Sequence, residues 1–178
     1  MLTGQQIVLR KMEINDTDDI VRWRNTEEVR SRFLYQEPFT REKHLDWIKN
    51  KVNTGLVVQM MICERESGRA IGSAYFRDID HVNHKAEYGL FIGESDSRVK
   101  GIGFETTNMM LRYGFEELGL HRIYARVLSD NIVSLKSAIK AGLEVEGTLR
   151  EDIILQESYR DIVLLGALKD RFLENIKE

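Results

Sequence analysis

Arg98-Val99-Lys100-Gly101-Ile102-Gly103 follows a strand-like run, Ala86 to Ile92, and opens a helical pattern that begins at Phe104. Those residue types in that order can seat a pyrophosphate. Glycines let the backbone turn tightly and approach an anion, successive N–H groups converge on it, the helix N-terminus adds a favourable field, and Arg98 and Lys100 supply mobile charge. A P-loop needs four residues between its glycines followed by Lys-Ser/Thr, and a dinucleotide fingerprint needs a third glycine where Thr106 stands, so neither is present. A nucleotide-like cofactor is the first hypothesis; on spacing alone the same residues also fit a structural turn.

Other chemistry-bearing residues form no comparable pattern. His44, His81, His84 and His121 are joined by no Cys, Asp or Glu at a recognised metal spacing, so they read as turn, cap or packing residues, and no metal site is expected. Cys63 lies in an apolar strand-like run, which makes it a buried, inert thiol rather than a nucleophile. Trp47 and the Met109-Met110 pair are core candidates.

The elements that position the glycine loop follow from periodicity. Ile7 to Lys11 reads as a first strand. Asp16 can cap a helix carrying Ile20, Val21 and Trp23, a helical patch runs through Val29, and Thr40 caps a helix with Leu45 and Ile48 before Gly55. Leu56 to Cys63, Ala70 to Ile79 and Lys85 to Ile92 read as three antiparallel strands joined by turns at Glu66-Ser67-Gly68-Arg69 and His81-Val82-Asn83-His84. Beyond the loop, Phe104, Leu111, Phe115 and Leu118 share a helix face, and Ile123, Ala125 and Val127 alternate along a strand. A helix carrying Ile132, Leu135 and Ile139 stops at Gly142, and two strands flank a turn at Gln156 to Ser158. The order is β-α-α-β-β-β-α-β-α-β-β, an α/β fold around a mixed, mostly antiparallel sheet.

At 178 residues, with no linker, repeat or low-complexity run, the chain reads as a single domain over 1–178. Its 26 Lys and Arg against 29 Asp and Glu give a net charge of -3, which offers nucleic acid or an anionic membrane no whole-protein attraction. One cysteine excludes an internal disulfide, and the absence of a signal peptide or an 18-residue apolar stretch points to a soluble cytoplasmic protein.

Taken together these residues resemble the GNAT superfamily of acetyl-CoA-dependent N-acetyltransferases over nearly the whole chain. Arg98 through Gly103 is similar to its Arg/Gln-x-x-Gly-x-Gly/Ala cofactor loop, and Asn131 through Gly142-Leu143 to its second motif, an Asn before a helix that ends in Gly-Phe. Glu146-Gly147-Thr148-Leu149-Arg150 with Tyr159-Arg160-Asp161 resembles the closing pattern of the ribosomal-protein and spermidine acetyltransferase branch. The stretch Trp23-Arg24-Asn25 through His44-Leu45-Asp46-Trp47-Ile48 is similar to the same region of the amino-sugar acetyltransferases of pseudaminic acid synthesis.

The resemblance implies a GNAT fold in which the strands Ala86 to Ile92 and His121 to Val127 splay apart to receive acetyl-CoA. Pantetheine would lie against Leu90, Phe91 and Ile92, the pyrophosphate on Arg98, Val99, Lys100, Gly101, Ile102, Gly103 and Phe104, and Asn131 would contact the cofactor from the other side. Lys136 and Lys140 share a helix face and read as a solvated stripe. The implied reaction is direct attack of a primary amine on the thioester in a ternary complex, without a metal. Holding a lysine-like amine neutral at pH 7 costs roughly 4–5 kcal/mol, so an acid should face the cleft. Glu87 aligns with the glutamate that relatives use as a base, often through water; its bland alternative is a strand carboxylate paired to a basic neighbour. A backbone N–H near Leu90 or Phe91 would hold the oxyanion. The tyrosine that relatives carry seven residues after the motif Asn is Ala138 here, which leaves Ser134, Ser137 or water to protonate the thiolate.

The acceptor pocket is expected from Arg24, Tyr35, Glu37 and Tyr159. Glu37 suits a polyamine, whereas Arg24, Arg30 and Arg32 suit a phosphate-bearing acceptor and are more numerous. A nucleotide-linked amino sugar leads, with spermidine, a ribosomal-protein N-terminus and, in another class, a non-catalytic acyl-CoA-binding module as alternatives. A homodimer through the closing strands or the N-terminal helices is a further expectation.

Overall fold

The computed structural model describes residues 1–98 and 101–175. One eight-stranded sheet, in the order β1-β2-β3-β4-β5-β6-β8-β7, organises them. The strands are β1 (Leu2–Thr3), β2 (Ile7–Lys11), β3 (Val58–Glu64), β4 (Ala70–Asp80), β5 (Lys85–Ile92), β6 (Arg122–Leu128), β7 (Glu144–Leu155) and β8 (Ser158–Leu168). Every neighbouring pair is antiparallel except β5 and β6.

The expected hairpins form where turn residues demand them. Gly68 and His84 take positive φ, and Asp80 accepts the N–H groups of Val82 and Asn83 at 3.0 and 2.8 Å, closing the turn into β5. Gln156 and Glu157 both have positive φ, the twist a two-residue hairpin requires between β7 and β8.

Between β2 and β3 the chain forms three short helices, α1 (Thr17–Arg24), α2 (Glu27–Arg30) and α3 (Arg41–Trp47), and then a wide turn over Ile48–Val52, where two helices were expected. Thr40 caps α3 through Lys43 N–H as its position predicts. Asp16 occupies the N-cap of α1 without capping it with its side chain. Its buried carboxylate instead takes a forked ion pair from Arg10, at 2.6 and 2.8 Å, and the Glu13 N–H, and these bonds hold it below the usual carboxylate range against the cost of burial. The remaining helices are α4 (Ile102–Glu116), α5 (Ile132–Lys140) and α6 (Lys169–Asn175); β1 and α6 add to the expected order.

The main core lies between the sheet and α4, with Leu111 and Phe115 fully buried as their spacing predicts and Phe172 of α6 against the Phe115 ring. On α5 the prediction fails in part, because Ile132 and Ile139 are exposed while Ala138 is the buried residue. A smaller cluster, Ile20, Trp23, Val29, Met61, Cys63 and Phe91, fixes the N-terminal helices to the opposite face of the sheet. Among the described residues no helix is long and apolar enough to cross a membrane.

Candidate active site

Strand β5 sends its residues alternately to the two faces. Ala86, Tyr88, Leu90 and Ile92 join the α4 side, while Phe91 packs among the N-terminal helices and Glu87 meets Arg77. Pairing with β6 covers only Lys85–Arg122, Ala86–Ile123 and Glu87–Tyr124. Beyond Glu87 the strands part, so among the described residues the β6-facing edge of Tyr88 to Ile92 has no strand partner, an open edge that a ligand can pair with. This is the splay that the family resemblance implied.

The glycine loop meets that open edge. Gly101 has φ +105 and forms the N-cap of α4, a conformation that glycine adopts without strain. A Cβ on Gly103 would come within 2.9 Å of the Ser137 Oγ, so α5 packs closely on the first turn of α4 and Ser137 sits against it. Arg98 donates to the Ile92 carbonyl at 3.2 Å and pairs with Glu28 of α2 at 2.8 Å. Ile102 is a core residue, so only its backbone could serve an anion, and Phe104 lies partly buried beneath Lys140, whose ammonium is 4.5 Å from its ring. Asn131 caps α5 through Ser134 N–H. Val99 and Lys100 lie outside the described residues. The geometry is a cradle that suits the pyrophosphate of a CoA, with the open strand edge continuing from it.

On the other face a cavity of about 340 Å³ opens between β3, β4, β5 and the N-terminal helices. Arg24, Tyr35 and Glu37 line it, as does Phe91; Tyr159 does not, and is 64 % exposed on β8. Glu37 projects into solvent and pairs with Lys43 at 3.0 Å. Arg24 is stacked between Phe33 and Phe39, 3.6 and 4.6 Å from their ring centroids, and desolvation lowers its guanidinium to about 10, still charged at neutral pH.

Glu87 is 5 % exposed and stands just behind the cavity wall formed by Arg77. Arg77 Nη2 donates to Glu87 Oε1 at 2.6 Å and Arg126 Nε to the same oxygen at 3.4 Å. Glu87 is therefore a paired strand carboxylate, and Oε2 is the oxygen left for another partner.

Several lining residues escaped the sequence reading. Arg77 was legible in principle, since a hairpin about the 81–84 turn brings it opposite Glu87, as the register confirms. Trp47 belongs to the cavity wall and donates to Gln59 Oε1 at 3.1 Å, which corrects its reading as a core residue. His44 packs against Phe39, 5.7 Å between centroids, but also faces the cavity; burial pulls its imidazole down to about 4, so it is neutral. Nothing in its sequence position separated it from the other histidines. Among the described residues no three His, Cys, Asp or Glu side chains are grouped to hold a metal.

Comparison with known proteins agrees with this architecture. An uncharacterized N-acetyltransferase of Bacillus licheniformis is 28 % identical over 175 residues, covering 96 % of this chain and 97 % of that one. The spermidine N(1)-acetyltransferase of Vibrio cholerae is 25 % identical over 170 residues, covering 96 % and 97 %. Among solved structures, the Vibrio cholerae spermidine N-acetyltransferase in complex with CoA and spermine superimposes with a TM-score of 0.88 at 22 % identity, over 96 % of this chain and 99 % of that one, a likeness of fold. The Acetyltransferase (GNAT) domain family matches residues 6–144, which is most of the chain, and the protein belongs to that family of N-acetyltransferases.

Proposed function

We propose that this protein transfers the acetyl group of acetyl-CoA to the primary amine of a small acceptor that also carries negative charge, as a nucleotide-linked amino sugar does. The observation that carries the reading is the parting of β5 from β6 immediately beyond Glu87, between the glycine cradle on one face and the 340 Å³ cavity on the other. Pantetheine lying along Leu90 to Ile92 brings its thioester to the splay, where a backbone N–H near Leu90 or Phe91 stabilises the oxyanion. Gly101, Gly103 and the first turn of α4 receive the pyrophosphate. Glu87 accepts the amine proton at one remove, through water, because Arg77 stands between it and the cavity. Ser137, packed against Gly103, is the α5 hydroxyl that takes the place of the absent tyrosine.

Similarity to spermidine acetyltransferases favours a polyamine as the second reading. Charge opposes it. The cavity presents Arg24, Lys43 and Arg77 against one carboxylate, Glu37, already paired to Lys43, so a polycation meets like charge. Thiol release from acetyl-CoA across UDP-amino sugars, spermidine and N-terminal peptides tests the proposal. Release with the amino sugars is expected; release with spermidine alone overturns the acceptor class, and silence across the panel with CoA binding intact marks a non-catalytic acyl-CoA-binding module.

A further inference from the structure

Four buried polar atoms without a hydrogen-bond partner belong to residues that line the acceptor cavity: Arg24 Nε, Arg77 Nε and both ring nitrogens of His44. Buried polar groups are ordinarily satisfied, so a cluster of orphans on one wall is the mark of a site shaped for something else to complete. The Arg24 guanidinium takes part in no hydrogen bond or ion pair among the described residues. Phe33 and Phe39 stack on the guanidinium, which leaves its in-plane N–H fork as the binding edge. A planar fork of donors matches an oxyanion, either the carboxylate or the phosphate geometry. Arg77 adds a second guanidinium, held by Glu87 at Nη2, while its Nε makes no hydrogen bond and has the exposed Asp78 carboxylate 3.9 Å away; Tyr35 lies over the guanidinium at 5.7 Å. His44 is 1 % exposed and neutral, so it offers one N–H donor and one acceptor nitrogen to a ligand bearing both kinds of atom.

We infer that Arg24, Arg77 and His44 form an oxyanion seat that grips the acceptor by a carboxylate or phosphate, and that Arg24 is the residue that sets acceptor class. The inference deepens the acetyltransferase reading and rests on it for the word acceptor, but the seat itself is tested without turnover. Its chemistry excludes polyamines and requires an acceptor with an amine at one end and an anion at the other.

The experiment is calorimetric titration of the full chain, first saturated with CoA so that the glycine cradle is filled, with inorganic pyrophosphate, inorganic phosphate, succinate and spermidine. Pyrophosphate or phosphate binding without succinate binding assigns the seat to a phosphoryl group, and the reverse assigns it to a carboxylate. Arg24→Gln is expected to weaken the oxyanion that binds at least tenfold, and Arg24→Lys to lie between, since charge survives and the fork does not. In steady state Arg24→Gln raises the acceptor KM at least tenfold while the acetyl-CoA KM moves less than twofold. Oxyanion binding that is absent, or unchanged in Arg24→Gln, overturns the seat, as does tighter binding of spermidine. Should Arg24→Gln melt early, His44→Gln with Arg24→Lys reads the same seat. If CoA itself fails to bind, the acetyltransferase reading falls, while the Arg24-dependent titration of the CoA-free protein still decides the seat.

Discussion

The two faces of the sheet are built from the same strands and are opposite in kind. Against α4 the sheet is closely packed: Ala86, Leu111, Phe115 and Ile123 have no exposed surface, the Tyr88 hydroxyl is bonded to Thr107 at 3.1 Å, and a single buried hydroxyl, Thr106 Oγ1, lacks a partner among the described residues. Against the N-terminal helices the sheet carries a hollow whose wall includes two arginines and a histidine with unmet hydrogen bonds. One strand divides them residue by residue, which shows how alternation lets β5 support the core with one set of side chains and present charge with the other. The difference teaches that stability resides on the α4 face and that the opposite face holds unfavourable burial ready for a ligand.

The contrast breaks most visibly in stability. Phe115→Ala removes a ring that is fully buried and packed 5.3 Å from Phe172, and should cost about 3–5 kcal/mol in denaturant unfolding. Arg24→Gln, on the other face, should be neutral or stabilising, because it deletes a desolvated and unpaired charge. Comparable losses for the two variants would mean that the hollow is part of the core.

Glu87→Gln sits where the faces meet. It removes the buried counter-charge shared by Arg77 and Arg126 and leaves Arg77 only the exposed Asp78 at 3.9 Å, so unfolding should show a loss of about 1–3 kcal/mol. A proton acceptor also contributes about 10²–10⁴-fold to turnover, and kcat should fall by at least the lower figure. Adding Arg77→Met to Glu87→Gln should recover stability without recovering kcat; recovery of both would make Glu87 a strut for Arg77 and nothing more.

Acid separates the faces by a smaller amount. His44, buried and influenced by the charges of Arg24, Asp16 and Arg41, is lowered to about 4 in the folded protein against about 6.5 when unfolded. Between those values the unfolded chain binds the extra proton, so stability falls as pH drops from about 6.5 toward 4, by at most about 3 kcal/mol. His44→Gln should flatten that part of the stability profile. Loss of stability below about 3.8 remains in the variant, because protonation of Asp16 then breaks its pair with Arg10.

The legible parts of the molecule are those where neighbours in sequence decide the outcome. Alternation located β5 to the residue, Thr40 announced α3, and Gly101 announced the turn into α4. The acceptor side is legible only in fragments, since residue type alone points to Arg24, Tyr35 and Glu37, whereas their setting depends on contacts across the fold. Arg24 matters because Phe33 and Phe39 close over it, and His44 because its helix turns it inward; neither contact leaves a periodic trace. Glu87 was found by position, while its two arginine partners come from β4 and β6 and became visible only with strand register.

Tyr35 and Tyr159 give the finest cut through the same contrast, for both were expected to bind acceptor and both are exposed, at 63 % and 64 %. Exposure alone does not distinguish them; surroundings do. Tyr35 lines the cavity and covers Arg77, so Tyr35→Ala uncovers a guanidinium of the oxyanion seat and should raise the acceptor KM about threefold to tenfold, the loss of roughly one cation–π contact. Tyr159 stands opposite the exposed Ile154 beside the turn of the β7–β8 hairpin, outside the cavity lining. Tyr159→Ala should therefore change acceptor KM less than twofold and stability by less than about 0.5 kcal/mol. Equal KM effects for the two tyrosines would extend the acceptor site from the hollow onto the hairpin, and the boundary drawn between the faces would have to move with it.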